Sequence, residues 1–286
     1  MASRSSIPKA FVAGYFRGRT ALITGASSGI GRDLAVSLAG MGARVALLAR
    51  RKTLLEELAH EIATEGNEPL VLAADVTRRA DCGAAVERAR RDFGHLDILI
   101  NSAGIMEPGP VEALDSATLE QMMRVNLFGT LHMMQAVLPA MRKAATGNIV
   151  NVASLAGRRG MPPLGGYCAT KFAVVGLTEA LRVELYGSGV KLSLVMPGVI
   201  DTPMTQGGAG IDQLKGVPAG LYAMPVQWVT WAAIAAIVFG LPEVDVPPGA
   251  AILEKIAALM PGLTDSALAL GLRVLEWTGR GREKSP

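Results

Sequence analysis

The chain has 286 residues, 50% of them hydrophobic, which is enough to bury a full core as one α/β domain. Its formal charge of +3 is small and scattered, with Arg17 and Arg19 near one end and Arg280, Arg282 and Lys284 near the other, so a nucleic-acid surface is excluded. Two cysteines, Cys82 and Cys168, and three isolated histidines, His60, His95 and His132, offer neither a disulfide framework nor a metal-ligand spacing. No metal is expected, and the expected setting is reducing and cytoplasmic.

Residues 1–18 are basic and serine-containing, with no acid before Asp33, and are expected to form a solvated leader. The β-type run Thr20–Thr24 then enters Gly25-Ala-Ser27-Ser28-Gly29-Ile30-Gly31, ahead of a helical pattern near 30–41. Glycines there let the backbone turn tightly and approach a pyrophosphate resting on the helix N-terminus. A second run, Ala43–Leu48, stops just before Arg50 and Arg51. Further strands are predicted at Pro69–Ala73, Leu96–Ile100, Gly147–Val152 and Val190–Met196, and further helices near 52–65, 79–93, 115–143 and 165–187. Near-continuous apolarity in the strands and their alternation with helices predict a Rossmann-type doubly wound parallel sheet with helices on both faces, in a single domain.

Beyond Met196 the pattern loosens. Residues 202–224 mix glycines with Met204, Leu214, Leu221, Tyr222 and Met224, and are expected to form a mobile lid over a lipophilic substrate. A helix near 225–240 and a short strand at Val244–Val246 follow. The apolar run Trp228–Leu241 is shorter than the ~20 residues a spanning helix needs and is expected to be a buried helix. The apolar tail Ala250–Trp277 is divided by Pro261-Gly262 into two short helices.

Tyr167 and Lys171 stand four residues apart in a helical segment, on one face. An ammonium beside a phenol favours the phenolate and is expected to lower a pKa that is ordinarily about 10, fitting the hydroxyl for general acid–base work. Cys168, its neighbour, points elsewhere on the helix and is expected to be a packing residue.

Taken together with Asn101-Ser-Ala103-Gly104, Asn126, Ser154 and Pro197-Gly198, these motifs resemble the short-chain dehydrogenase/reductase family from about residue 18 to about 203. The resemblance implies that Tyr167 protonates a carbonyl oxygen as hydride arrives, that Ser154 holds that oxygen, that Lys171 also grips the nicotinamide ribose, and that Asn126 anchors a proton-relaying water. It further implies that Asp75, with Val76, meets the adenine, and that Asn101, Ala103 and Gly104 line the adenosine side. Pro197, Gly198, Ile200 and Thr202 would cradle the nicotinamide carboxamide. Ser102 departs from the family pattern, where a second Asn braces the sheet, and puts local stability in question. The implied layout is a leader at 1–18, a catalytic domain at 19–249 and a helical extension at 250–286, with pairing into a homodimer or homotetramer through the helices near 115–143 and 165–187.

In NAD-specific dinucleotide folds an acid about 20 positions past the glycines meets the ribose 2′-hydroxyl. Arg50 and Arg51 occupy that place here, and the nearest acids, Glu56 and Glu57, lie in the next helix. A guanidinium suits a 2′-phosphate, so NADP(H) is the predicted cofactor, with Arg50 the better-placed of the two and Ser28 adding a hydroxyl. The expected function is hydride transfer between NADP(H) and a lipophilic carbonyl or secondary alcohol. Its rivals are a catalytically silent cofactor-binding sensor and a lipid-surface protein that touches membranes through the tail.

Overall fold

The computed structural model describes residues 9–64, 67–206 and 223–282. Seven short runs form one sheet: β1 (Thr20–Thr24), β2 (Arg44–Ala49), β3 (Leu70–Ala73), β4 (Ile98–Asn101), β5 (Gly147–Val152), β6 (Val190–Pro197) and β7 (Glu243–Val246). Every neighbouring pair is parallel and the order is β3-β2-β1-β4-β5-β6-β7. Parallel strands require crossovers, and these place helices on both faces, so β1, β4 and β5 are buried throughout, with apolar centres and buried Thr or Asn toward their ends. The strand order reverses between β1 and β4, opening a crevice at their C-terminal ends.

One face is covered by α1 (Lys9–Phe16), α2 (Gly29–Gly40), α3 (Lys52–Ile62) and, beyond it in sequence, the helix Val226–Phe239. Leu34, Leu38, Leu55, Leu58, Ile234 and Ile237 pack there against Ile23, Leu47 and Ile100. The other face carries α4 (Arg79–Phe93) and the helices Gly129–Ala144 and Gly165–Glu184, with Val86, Met133, Val137 and Leu181 against Leu22, Leu99 and Ile149.

The helix predicted over 115–143 is three pieces: α5 (Ser116–Met123), a π-helical turn at Arg124–Phe128, and α6 (Gly129–Ala144). Such a turn inserts a residue into the helical ladder and commonly marks a functional site. Next in the chain come α7 (Gly165–Glu184), the short α8 (Pro203–Gln206) and α9 (Val226–Phe239). The tail holds α10 (Ala250–Leu259) and α11 (Pro261–Arg282), the second far longer than the short helix expected. Most of the proposed lid, residues 207–222, lies outside the described residues.

The solvated leader is corrected for residues 9–16. There, α1 turns Val12 and Phe16 into the same core as α2 and α9. Tyr15 packs edge-on to Phe16 and donates from its hydroxyl to the Ile237 carbonyl at 3.4 Å. Two apolar side chains four residues apart gave no strong signal in so short and basic a segment. Phe16→Ala should destabilise the protein by about 3–5 kcal/mol in urea unfolding. A loss below about 1 kcal/mol would show that α1 lies outside the folding unit.

Candidate active site

The glycine-rich turn forms because the chain must leave β1 sharply and pass under the end of β4. Gly25 has φ +69°, and a Cβ there would stand 2.9 Å from the Ala103 backbone. A Cβ on Gly31 would meet the Gly25 carbonyl oxygen at 2.5 Å, so the first turn of α2 closes onto the loop only without a side chain. The Thr24 hydroxyl accepts hydrogen bonds from the backbone N–H groups of Ser102 and Ala103, at 3.0 and 3.1 Å. That bond pair ties β1 to β4 at the position where Ser102 departed from the family pattern. Thr24 received no role from sequence. Its place as the last strand residue before the glycine is the signal that could have found it.

A cleft of about 330 Å³ opens at this switch point. Its walls include the predicted residues Gly25, Ser27, Ser28, Gly29 and Ile30 from the loop, Arg50 and Arg51 after β2, and Asp75 and Val76 after β3. Ala103, Gly104 and Thr202 line it as well. Leu48, Ala49, Ala74, Ser102, Ile105, Val125 and Pro203 also line it and were not predicted, and so does Met204, expected only as part of the lid. Their apolar or backbone contributions leave no chemical mark in a sequence. Gly31, Pro197, Gly198 and Ile200 stand behind or beside the cleft rather than on this wall. Asn101 is turned into the sheet, where its Nδ2 donates to Asn151 Oδ1 at 2.8 Å.

Around the rim, Arg51 donates to Ser27 Oγ at 2.8 Å and to Ser28 Oγ at 2.9 Å. Arg50 instead acts on Asp75. Burial raises the Asp75 carboxyl, but hydrogen bonds from Thr77 and the charges of Arg50 and Arg78 together hold it below its ordinary value. Arg51 is thus seated on the serines, while Arg50, favoured from sequence as the partner of a 2′-phosphate, lines the same cleft beside Asp75. The cleft's narrow glycine floor, the helix N-terminus beneath it and the cationic rim fit a dinucleotide. The residues that would hold one are the loop glycines, Arg51 and Asp75.

At the inner end of the cleft, a Cβ on Gly104 would stand 3.4 Å from Asn126 Oδ1 and 3.9 Å from Lys171 Nζ, so the predicted catalytic residues adjoin the cleft here. Asn126 sits in the π-helical turn. Its Oδ1 accepts from Ile105 N at 2.8 Å, and its Nδ2 donates to Ile105 O and to Thr170 Oγ1, each at 2.9 Å. Thr170 in turn donates to the Tyr167 carbonyl at 2.8 Å. The Asn126 amide thus braces the loop after β4 against the helix that carries Tyr167 and Lys171. Ser154, at the end of β5, donates to the Pro197 carbonyl at 3.2 Å and accepts from Ala156 N at 3.1 Å.

Lys171 Nζ lies 5.6 Å from the centroid of the Tyr167 ring and donates to the Val152 carbonyl at 3.0 Å. Burial lowers its pKa from 10.5 to about 8. Tyr167 moves the opposite way from the sequence expectation: desolvation raises its phenol to about 12, against a lowering by the Ser154 hydroxyl bond. Burial outweighs the Ser154 hydrogen bond, so the phenol stays above its ordinary value. Tyr167 is therefore a neutral hydroxyl able to give a proton.

Residues 19–209 match the family model described as short chain dehydrogenase. An uncharacterized oxidoreductase of Staphylococcus epidermidis is 38% identical over 189 residues, covering 66% of this chain and 81% of that protein. The D-threitol dehydrogenase of Mycolicibacterium smegmatis is 36% identical over 223 residues, covering 77% and 86%. Among solved structures, a 3-ketoacyl-(acyl-carrier-protein) reductase from Brucella melitensis complexed with NADH superposes with a TM-score of 0.72 at 31% identity, covering 80% of this chain and 98% of that one.

The buried lysine sets a pH dependence. Its folded pKa of about 8 lies below its ordinary 10.5, so across that window the unfolded chain binds the proton and the folded protein does not. Stability therefore rises with pH between those values. Relative to Lys171→Met, the wild type should gain unfolding free energy across the window in urea titrations of the cofactor-free protein. A pH-independent difference would show that burial does not penalise the Lys171 charge.

Proposed function

Because the chain belongs to the short-chain dehydrogenase family of oxidoreductases, we propose that it moves hydride between NADP(H) and a carbonyl or secondary alcohol on an apolar substrate. The observation that carries this reading is the approach of Asn126 and Lys171 to the cleft at Gly104, with Tyr167 beside Lys171 and hydrogen-bonded to Ser154. A nicotinamide held in the cleft supplies the hydride, or accepts it in the reverse direction. Tyr167 gives its proton to the substrate oxygen, and Ser154 Oγ orients that oxygen by a hydrogen bond. Lys171 provides a positive charge beside the phenol and a donor for a ribose hydroxyl. Asn126 keeps the helix of the pair in register with the cleft, and its neighbourhood is the exit for protons. Pro197, Gly198, Ile200 and Thr202 flank the carboxamide side, while Asn101 supports the adenosine side from within the sheet.

The apolar substrate is supported by Met204 on the cleft wall and by Met224 and Leu155, whose ends reach 3.2 and 3.3 Å from a Cβ on Gly198. Thioether side chains adapt to irregular apolar shapes. A catalytically silent sensor is disfavoured because all four catalytic side chains are present. A second reading, lipid contact through the tail beyond residue 249, is favoured by the exposure of Ile252, Ile256, Leu259 and Leu263 on α10 and α11. Pairing of subunits through α6 and α7 is supported by exposed Phe128, Phe172 and Val183.

Tyr167→Phe should lower turnover by about 10²–10⁴-fold or more while leaving cofactor affinity nearly unchanged, as measured by cofactor absorbance and by titration. A variant keeping over about half of the activity would end the assignment.

The preference for NADP(H) rests on Arg51, with Arg50 behind it, and not on the relatives. The Brucella reductase was complexed with NADH. Arg51→Ala should weaken NADPH binding by roughly 10- to 150-fold, the equivalent of losing charge-assisted bonds worth about 1.5–3 kcal/mol, and change NADH binding far less. Equal or better efficiency of the wild type with NADH would overturn the preference and leave hydride transfer standing.

A further inference from the structure

Between Ser154 and Tyr167 the chain folds a small element that carries no catalytic group. Leu155–Gly157 form one 3₁₀ turn, capped by Ser154, whose hydroxyl accepts from Ala156 N at 3.1 Å. The Ser154 carbonyl accepts from Gly157 N at 2.8 Å, and Arg158 N donates to the Leu155 carbonyl at 2.9 Å. The turn lies flat on α7. A Cβ on Gly157 would stand 2.8 Å from the Lys171 carbonyl oxygen and 3.0 Å from Val175 Cγ2. A turn this short has little cohesion of its own, so what fixes its seat on the helix lies outside it.

Arg158 reaches two carboxylates on different elements. Its Nη1 meets Glu179 Oε1 at 2.9 Å, about two turns along α7 from Lys171. Its Nη2 meets Oε2 of Glu243, the first residue of the edge strand β7, at 2.5 Å. The Arg158 and Glu243 side chains are only 29% and 26% exposed, so water screens this pair less than a surface pair. A guanidinium holds its donors in a rigid plane, and bonds to two separate carboxylates leave it little freedom to move. Arg159, next in the chain, pairs instead with Asp265 on α11, whose side chain is 71% exposed. Of the two arginines, Arg158 is the one fixed to the body of the fold.

We infer that Arg158 is a positioning residue for Ser154: by seating the turn on α7 between Glu179 and Glu243, it keeps the Ser154 hydroxyl in hydrogen-bonding reach of the Tyr167 phenol. That hydroxyl bond favours the phenolate and works against the burial that raises the phenol. The hydroxyl's other tie, its donation to the Pro197 carbonyl at 3.2 Å, is long for an O–H donor and does not hold it alone. Without Arg158 the turn would be free to lift from Lys171 and Val175, and the hydroxyl would follow it. Tyr167 would then give up its proton less readily. The catalytic consequence rests on the hydride-transfer reading, whereas the coupling between Arg158 and the phenol does not.

The test is an absorbance titration of the full chain with a ring-difluorinated tyrosine in place of Tyr167, whose phenol ionises in an accessible pH range. With Arg158→Met the phenol should hold its proton at least about threefold more tightly. Ser154→Ala should act similarly, and adding Arg158→Met to it should change nothing further. In the unlabelled protein Arg158→Met should lower kcat about tenfold and leave NADPH affinity within about twofold. Arg158→Lys should recover part of that loss, because an ammonium lacks the fork that spans both carboxylates. An unchanged phenol, or an equal effect of Arg158→Met once Ser154 is gone, would overturn the inference. Should Arg158→Met not fold, Glu243→Gln takes its place. A tightening of about twofold or more that vanishes with Ser154→Ala upholds the inference, and any other result defeats it. If no carbonyl or alcohol turns over, hydride transfer fails while the titration still decides the role of Arg158.

Discussion

The site depends on how the ends of β1 and β4 are held while the chain turns away between them. Thr24 offers one hydroxyl oxygen to two backbone N–H groups, and Gly25 then passes within contact distance of Ala103. A bulkier backbone at Gly25 would push the β4 loop outward, and without the hydroxyl two buried donors would lose their acceptor. Either change would shift Gly104, the residue through which the cleft reaches Asn126 and Lys171. Both halves of the site are therefore set by the same junction.

Polar groups buried behind the cleft extend this control into the sheet. Asn101 donates to Asn151, and Asn151 donates to Thr178 on α7 at 2.9 Å. A second chain runs from Ile105 through Asn126 and Thr170 to the Tyr167 carbonyl. Both chains end on α7, the helix that carries the Tyr167 and Lys171 pair. In a low-dielectric interior such bonds are directional and costly to leave unmade, so they fix the rotation of α7 more tightly than apolar packing would. Burial that rigidifies the helix also raises the phenol and lowers the lysine, so position and protonation follow from one cause.

Much of the fold was legible because it follows from periodicity. All seven strands appear within a few residues of their expected bounds, and the crevice at the reversal of strand order follows from parallel connection alone. The glycine loop and the Tyr167 and Lys171 pair were legible because their chemistry needs particular residue types at fixed spacing. What escaped was set by three-dimensional neighbours. The phenol's shift depended on its burial, which residue spacing does not record. That Arg51 meets Ser27 and Ser28 depended on which way consecutive side chains leave a strand end. The role of α1 depended on a groove formed by α2 and α9, which lie far apart in sequence.

That first helix separates two kinds of boundary. The match to the family begins at residue 19, yet the hydrophobic interior begins at Val12 and Phe16. Inheritance and cohesion thus start at different places along the same polypeptide. A version begun at residue 19, where the match starts, would keep every group implicated in chemistry and still bare an oily groove between α2 and α9, inviting self-association. For this chain, a segment ahead of the family match acts as a plug that closes the interior behind it.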